Sequence, residues 1–244
     1  MRLTERVHLV ASGRLGFSLT DDYDCHVYAL DGGAEVGLID AGGGRSTEAL
    51  IANLRADGLD PARVRHLLLT HAHGDHAAGA AGLRELLPGL RVNASREAAP
   101  WLREGDERAI SLDVARRAGM YPPDFRLRPC PVDAELDDGA ELRVGDLTVR
   151  AIATPGHARG HLSYLVEGRL FAGDALFYGG RVALQDTWDC SVQESNRSIE
   201  RLASLDWDAL LPGHLTPSLR EGKRHAELAM AAIRKLGVPP PLQV

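Results

Sequence analysis

Short apolar runs alternate with turn residues along most of the chain, and their spacing predicts two sets of strands, each followed by helices. Residues 26–40, HVYALDGGAEVGLID, read as two strands around Asp31, Gly32 and Gly33, where glycine supplies the positive φ of a tight hairpin. Ser46 or Thr47 then caps a helix with Leu50, Ile51 and Leu54 on one face, closed by Gly58. Asp60-Pro61 resembles a short helix start. Val64 to Thr70 is an apolar strand broken only by Arg65 and His66, and it runs directly into THAHGDH. The small residues of AAGAAGLRELL suit a closely packed helix ended by Pro88-Gly89, and Leu90 to Ala94 makes another strand.

Residues 95–131 differ in texture: a helix is predicted over Asp106–Ala118, stopped at Gly119, and the proline-rich MYPPDFRLRPCP follows. This segment reads as an insertion. Its Trp101, Met120, Tyr121 and Phe125 either line a pocket as a cap or pack the insertion onto the sheet beneath it. From Ala140 the strand pattern resumes with AELRV, a Gly145-Asp146 turn, LTVRAIA, HLSYLV and RLFAG. Residues 196–205 and 218–236 are helical by spacing, and Asp208–Pro212 is a short strand leading to His214.

Composition changes this picture little. With 44% hydrophobic and 25% charged residues the chain is an ordinary globular sequence, and its 244 residues are expected to form a single domain. A formal net charge of -6 offers no basic footprint for a phosphate backbone, so a small-molecule substrate is expected and a nucleic-acid partner is not. No run approaches the roughly 18 consecutive apolar residues that cross a bilayer, and MRLTERVHLV contains no apolar signal core; a cytoplasmic location without membrane association is expected. Cys25, Cys130 and Cys190 are odd in number and widely spaced, which fits buried small apolar groups better than a disulfide framework.

The chemistry is concentrated at strand ends. His71, His73, Asp75 and His76 place four ligand-type side chains within six residues where a buried strand gives way to a helix. Three later strands end the same way: Thr154-Pro155-Gly156-His157, Phe171-Ala172-Gly173-Asp174 and Leu211-Pro212-Gly213-His214. One histidine after a strand is ordinarily structural; four strand ends that each contribute ligand-type residues point to one metal-binding constellation.

With HxHxDH followed by a distant His, Asp and His, the sequence resembles the metallo-β-lactamase superfamily over nearly its whole length, from Leu38-Ile39-Asp40-Ala41-Gly42 to Pro212-Gly213-His214. The resemblance implies an α/β fold, a four-layer αββα sandwich with the site at one edge of the sheets and the helical insertion between the two ligand-bearing halves. It also implies that His71, His73 and His157 hold one divalent metal and Asp75, His76 and His214 a second, with Asp174 between them. Nitrogen and oxygen donors without a thiolate favour zinc and accommodate manganese or iron. The implied activity is hydrolysis of a small-molecule ester, thioester, lactone or lactam by hydroxide activated at the two metals, with Asp75 also orienting the nucleophile or moving its proton. The alternative is an oxidoreductase similar to the persulfide dioxygenases, with a single iron at His71, His157 and Asp174.

Other residues are candidates of a weaker kind. Asp40, at a strand end, either orients a ligand or binds loop amides. His161 is expected to be structural. The hydroxyl of Tyr178 could reach a substrate carbonyl or leaving group as a catalytic group, although a half-buried aromatic role is favoured. Arg159, Arg181 and Lys223 are candidates for a substrate carboxylate.

Overall fold

The two sets of strands form two sheets in the computed structural model, which describes residues 1–242. The first sheet runs in chain order across β1 (Val7–Ala11), β2 (Val27–Asp31), β3 (Val36–Ile39), β4 (Val64–Leu68), β5 (Arg91–Ser95) and β6 (Ala134–Leu136). Its first three strands are antiparallel and the remaining pairs parallel. The second sheet consists of β7 (Glu141–Val144), β8 (Leu147–Ala153), β9 (Leu162–Val166), β10 (Arg169–Gly173) and β11 (Ala209–Pro212), antiparallel except where β11 pairs in parallel with β10. The sequence reading lacked β1 and β6; the first precedes the hairpin and the second has only three residues.

Three apolar interfaces make four layers. Between the sheets, Leu9, Tyr28, Ile39 and Leu68 of one meet Val149, Tyr164, Phe171 and Leu211 of the other. Neighbours one residue away point outward, as the pleat requires: Leu38, Leu67 and Leu69 pack against α1 (Thr47–Ala56) through Leu50 and Leu54. On the far side, Leu170 and Leu210 meet α6 (Val192–Ser204) and α7 (Lys223–Ile233) through Ile199, Leu202, Ala226 and Ala229. This is the αββα arrangement that the family resemblance implies. No helix of the described residues is long and apolar enough to cross a membrane.

Local chemistry explains where the sequence reading slips. Ser46 precedes α1, but its hydroxyl donates to Asp24 at 3.0 Å instead of capping the helix. After β4, two short helices replace the continuous one, α2 (Gly74–Ala77) and α3 (Ala80–Leu86). In the insertion, the helix expected over Asp106–Ala118 is confined to its second half, and a separate helix precedes it: α4 (Ala99–Glu104) and α5 (Leu112–Arg117). Asp106 Oδ1 accepts from the backbone N–H groups of Arg108 and Ala109 in a turn, and Ser111 adopts φ 55°, which no continuous helix allows. All three cysteines are free, Cys25 and Cys130 buried and Cys190 partly so.

Both sheets bring their strand ends to one edge. Tyr164 of β9 donates to the Leu69 carbonyl at 2.7 Å and the Leu162 N–H to the Thr70 carbonyl at 2.7 Å, while Tyr28 of β2 donates to the Pro212 carbonyl at 2.8 Å. These cross-sheet bonds fix the ends of β4 and β11 relative to each other. The segments after β4, β8, β10 and β11 therefore emerge together.

Candidate metal centre

The seven predicted ligands occupy those emerging segments and converge. His71, His73 and His157 form one group, Asp75, His76 and His214 a second, and Asp174 joins His71 and His76 in a third; within each, the donor atoms lie no more than 4.8 Å apart. Asp174 lies between the first two: its Oδ2 is 3.6 Å from His157 Nε2 and 3.5 Å from His214 Nε2, and its Oδ1 is 3.3 Å from His76 Nε2. His214 Nε2 approaches Asp75 Oδ2 at 3.0 Å.

Four of the five ligand rings are held by their outer nitrogens. His76 Nδ1 donates to Asp40 Oδ2 at 2.9 Å, and Asp40 also accepts from the Thr70 N–H at 2.7 Å. Thr70 Oγ1 lies 2.9 Å from both Asp40 Oδ2 and His71 Nδ1, linking a second ligand to the same carboxylate. Asp40 thus fills both roles considered for it, binding a loop amide and orienting ligands. His73 Nε2 donates to Asp189 Oδ2 at 2.8 Å, and His157 Nδ1 faces the Ala183 carbonyl at 3.2 Å. His161 uses both nitrogens on protein groups, Thr154 Oγ1 at 2.9 Å and the Asp174 N–H at 3.2 Å, so it positions Asp174.

What remains inside is a set of buried polar atoms without partners: His71 Nε2, His76 Nε2 and Asp174 Oδ1. Buried polar atoms are ordinarily paired, so three orphans in one cluster, His76 Nε2 and Asp174 Oδ1 among them only 3.3 Å apart, fit a bound cation. His73 Nδ1 and His157 Nε2 face each other at 2.9 Å. With the outer nitrogens of both rings placed to donate, these inner nitrogens present lone pairs to each other, an arrangement a cation between them relieves.

At four of the ligands the protonation states suit a cation. Burial pushes the Asp75 carboxyl upward, but the imidazoles of His76 and His214 outweigh it and hold Asp75 below the usual carboxylate range. Asp174 is likewise held low, against its burial, by His214 and His76. Burial, reinforced by neighbouring histidines, keeps His71 well below its ordinary value and lowers His157 to about 4. Ionised carboxylates and neutral imidazoles are the forms that bind metal. His76 and His214 differ, since burial lowers them but neighbouring anionic groups outweigh it and raise both, so a cation there would displace their protons.

Glycine makes the packing possible at Gly213, where a Cβ would stand 2.2 Å from Asp174 Oδ1 and 2.6 Å from His76 Cε1. The Pro-Gly-His ending of β11 thereby has a steric cause.

Sequence reasoning missed three residues that support the centre. Tyr121 of the insertion donates to Asp75 Oδ1 at 2.7 Å, leaving Oδ2 to face the histidines. Asp189, which anchors His73, also accepts from Ser111 of the insertion at 2.8 Å. No spacing ties Asp189 or Ser111 to HxHxDH, since the relation is made only by folding. Other candidates are not brought in: Tyr178 is 43% exposed with its ring 4.4 Å from His225, and it does not line the cavity above the ligands. A catalytic role for Tyr178 has no geometry behind it. Arg159 pairs with Glu97, Arg181 donates to the Pro241 carbonyl and Lys223 to the Leu205 carbonyl; none lines the cavity, whereas Arg14 does.

The cavity encloses about 720 Å³, with His73, Asp75, His157, Asp174 and His214 in its lining. The insertion supplies much of the remainder, including Met120 and Tyr121. Phe125 is instead 2% exposed and packs beneath α2, where a Cβ on Gly74 would meet its ring at 2.7 Å. Trp101 packs half-buried against the core and edge-on to Trp188, with ring centroids 5.9 Å apart.

Comparison with known proteins agrees with this geometry. The chain is 31% identical over 193 residues to an atrochrysone carboxyl ACP thioesterase of Aspergillus fumigatus, covering 78% of this chain and 50% of that protein. It is 30% identical over 192 residues to a hydroxyacylglutathione hydrolase of Xanthomonas euvesicatoria, covering 78% and 59%. The chain thus spans between 50% and 59% of the length of these relatives. A metallo-β-lactamase family protein of Thermus thermophilus is similar in structure, with a TM-score of 0.72 and 28% identity over 96% of this chain and 82% of that one. A metallo-β-lactamase of Cronobacter sakazakii shares the fold, with a TM-score of 0.73 at 23% identity over 97% and 96%. The model of the metallo-β-lactamase superfamily matches residues 20–214, and the chain belongs to that superfamily.

Proposed function

We propose that this protein is a metal-dependent hydrolase of small-molecule acyl compounds, namely esters, thioesters, lactones or lactams. The observation that carries the reading is the convergence of seven ligand-type side chains, with orphaned donor atoms among them, on the wall of a cavity. His71, His73 and His157 would hold one divalent cation and Asp75, His76 and His214 the other, with Asp174 between the two groups. Zinc is favoured by the donor set, which also accommodates manganese or iron. Such cations, when bound, lower the pKa of water from about 15.7 toward about 7 and polarise an acyl carbonyl.

The protein's own groups perform the remaining work. Asp40 and Asp189 hold the ligand rings in orientation, so that little rearrangement is needed when charge develops on the substrate. Asp75, fixed through Oδ1 by Tyr121, keeps Oδ2 toward the reaction centre, where it can orient a water and take its proton. Hydrolysis adds the hydroxyl of water to the acyl carbon and returns a proton to the leaving heteroatom, so no external oxidant or reductant enters. The names of the two relatives, a thioesterase and a hydroxyacylglutathione hydrolase, support acyl transfer to water. The one-iron oxidoreductase alternative would leave Asp75 and His214, 3.0 Å apart in the same cluster, without a role.

The test is a panel of thioesters, lactones, β-lactams and phosphodiesters, offered to chelated protein and to protein reloaded separately with zinc, manganese and iron. Turnover of an acyl substrate that vanishes with chelation and returns with metal is the expected result. Oxygen consumption with glutathione persulfide, without acyl hydrolysis by any metal form, would overturn the reading.

A further inference from the structure

The part of the cavity wall that does not bear ligands is largely apolar. Val114 within α5 and Ala118 just beyond its C-terminal end line it together with Met120, and all three are exposed, Val114 by 36% and Met120 by 38%. Leu15, Leu184 and Leu242 extend the same lining from other parts of the chain. Exposed large apolar groups gathered around a concave surface mark a place where ligand, not core, is buried. Arg14 is the one Arg or Lys among the lining residues, and its guanidinium stands 5.3 Å from the centroid of the Tyr23 ring. Asp186 adds a further negative charge to the lining.

We infer that the cavity is an acyl-chain pocket: the substrate lays a hydrophobic acyl chain along Val114, Ala118 and Met120, and carries no more than one anionic group, paired with Arg14. This rests on the hydrolase reading above and narrows it. Beyond the groups assigned to the metals, a substrate with several carboxylates or phosphates would find a single cation, Arg14, and a further carboxylate, Asp186. A chain of methylenes finds a wall that is otherwise hydrated, and each methylene buried there strengthens binding by about two- to fourfold, from partial to complete burial. The insertion that carries this wall is hydrogen-bonded to Asp75 through Tyr121 and to Asp189 through Ser111, which fixes its distance from the reacting carbonyl.

Binding of n-alkyl carboxylates from acetate to dodecanoate to the zinc-loaded protein, measured by titration calorimetry, tests the inference without requiring turnover. Affinity is expected to rise by about two- to fourfold per methylene before reaching a plateau. Ala118→Asp and Val114→Asp, both at exposed positions, should each flatten that dependence with zinc content and Tm unchanged. A flat series in the unsubstituted protein, or an unaltered slope in both variants, would overturn the pocket. The same carboxylates' p-nitrophenyl esters separate this from the parent reading: hydrolysis indifferent to chain length leaves the hydrolase and removes the pocket. Chain-dependent binding with no ester hydrolysed leaves the pocket and removes the hydrolase.

Discussion

The hydroxyl of Tyr121 donates to Asp75 Oδ1 at 2.7 Å, so a side chain of the insertion holds the outer oxygen of a residue whose other oxygen faces His214. Partners of this kind fix ligand orientation, and their loss typically weakens metal binding by about 10- to 100-fold. Tyr121→Phe should therefore lower affinity in the group formed by Asp75, His76 and His214, with the tilted ring contact to Phe125 retained. Zinc competition against a chromophoric chelator measures this. Identical affinities in the two proteins would show that the hydroxyl does not support the centre.

Asp189 plays the corresponding part for His73; burial raises its carboxyl, but His73, Thr187 and Ser111 together outweigh burial and hold it below the usual carboxylate range. Asp189→Ala removes the acceptor for both His73 Nε2 and Ser111 Oγ. Loss of roughly one metal equivalent during dialysis is expected, together with faster amide exchange across 106–122. Retention of both equivalents and unchanged exchange would separate Asp189 from the site.

Gly213→Ala should damage the centre without touching a ligand. Its Cβ would collide with Asp174 Oδ1 and His76 Cε1, at 2.2 and 2.6 Å, and one of those side chains must leave its place. Reduced metal content with a native circular-dichroism spectrum is the expected pairing; full metal content would mean that the loop after β11 shifts to make room.

Phe125 and Trp101 should part company. Phe125 is enclosed beneath Gly43 and Gly74, and truncation to alanine should cost about 3 to 5 kcal/mol, visible as a drop of about 10 °C in Tm. Trp101 is only partly buried and should cost less on truncation. Neither lines the cavity, so KM of the folded fraction should change little in both. A raised KM in Phe125→Ala without loss of stability would contradict its placement in the core.

Much of the site was legible because each ligand sits at a strand end, where apolar periodicity stops and a polar residue stands out. His71 to His76, His157, Asp174 and His214 all announce themselves in this way. The supporting residues do not: Ser111 and Asp189 are 78 residues apart, and their hydrogen bond is created by the return of the loop before α6 to the insertion. Tyr121 looked like one more apolar group because its hydroxyl partner is 46 residues distant. The helix expected over Asp106–Ala118 failed for a local reason, since Asp106 satisfies backbone donors in a turn more readily than it continues a helix.

The connection between β5 and β6 leaves and rejoins one sheet at neighbouring strands, with Ser95 paired to Leu136. A parallel crossover needs a dozen or more residues whatever they encode. Because both ends are pinned by strand pairing while His71, His157, Asp174 and His214 follow other strands, this stretch can lengthen, shorten or be exchanged without altering the frame that bears those four. If the insertion holds the substrate as proposed above, heritable variation in what the molecule accepts is separated from variation in how it reacts except at the bonds of Tyr121 and Ser111, which mark where a newly acquired crossover must re-engage the frame.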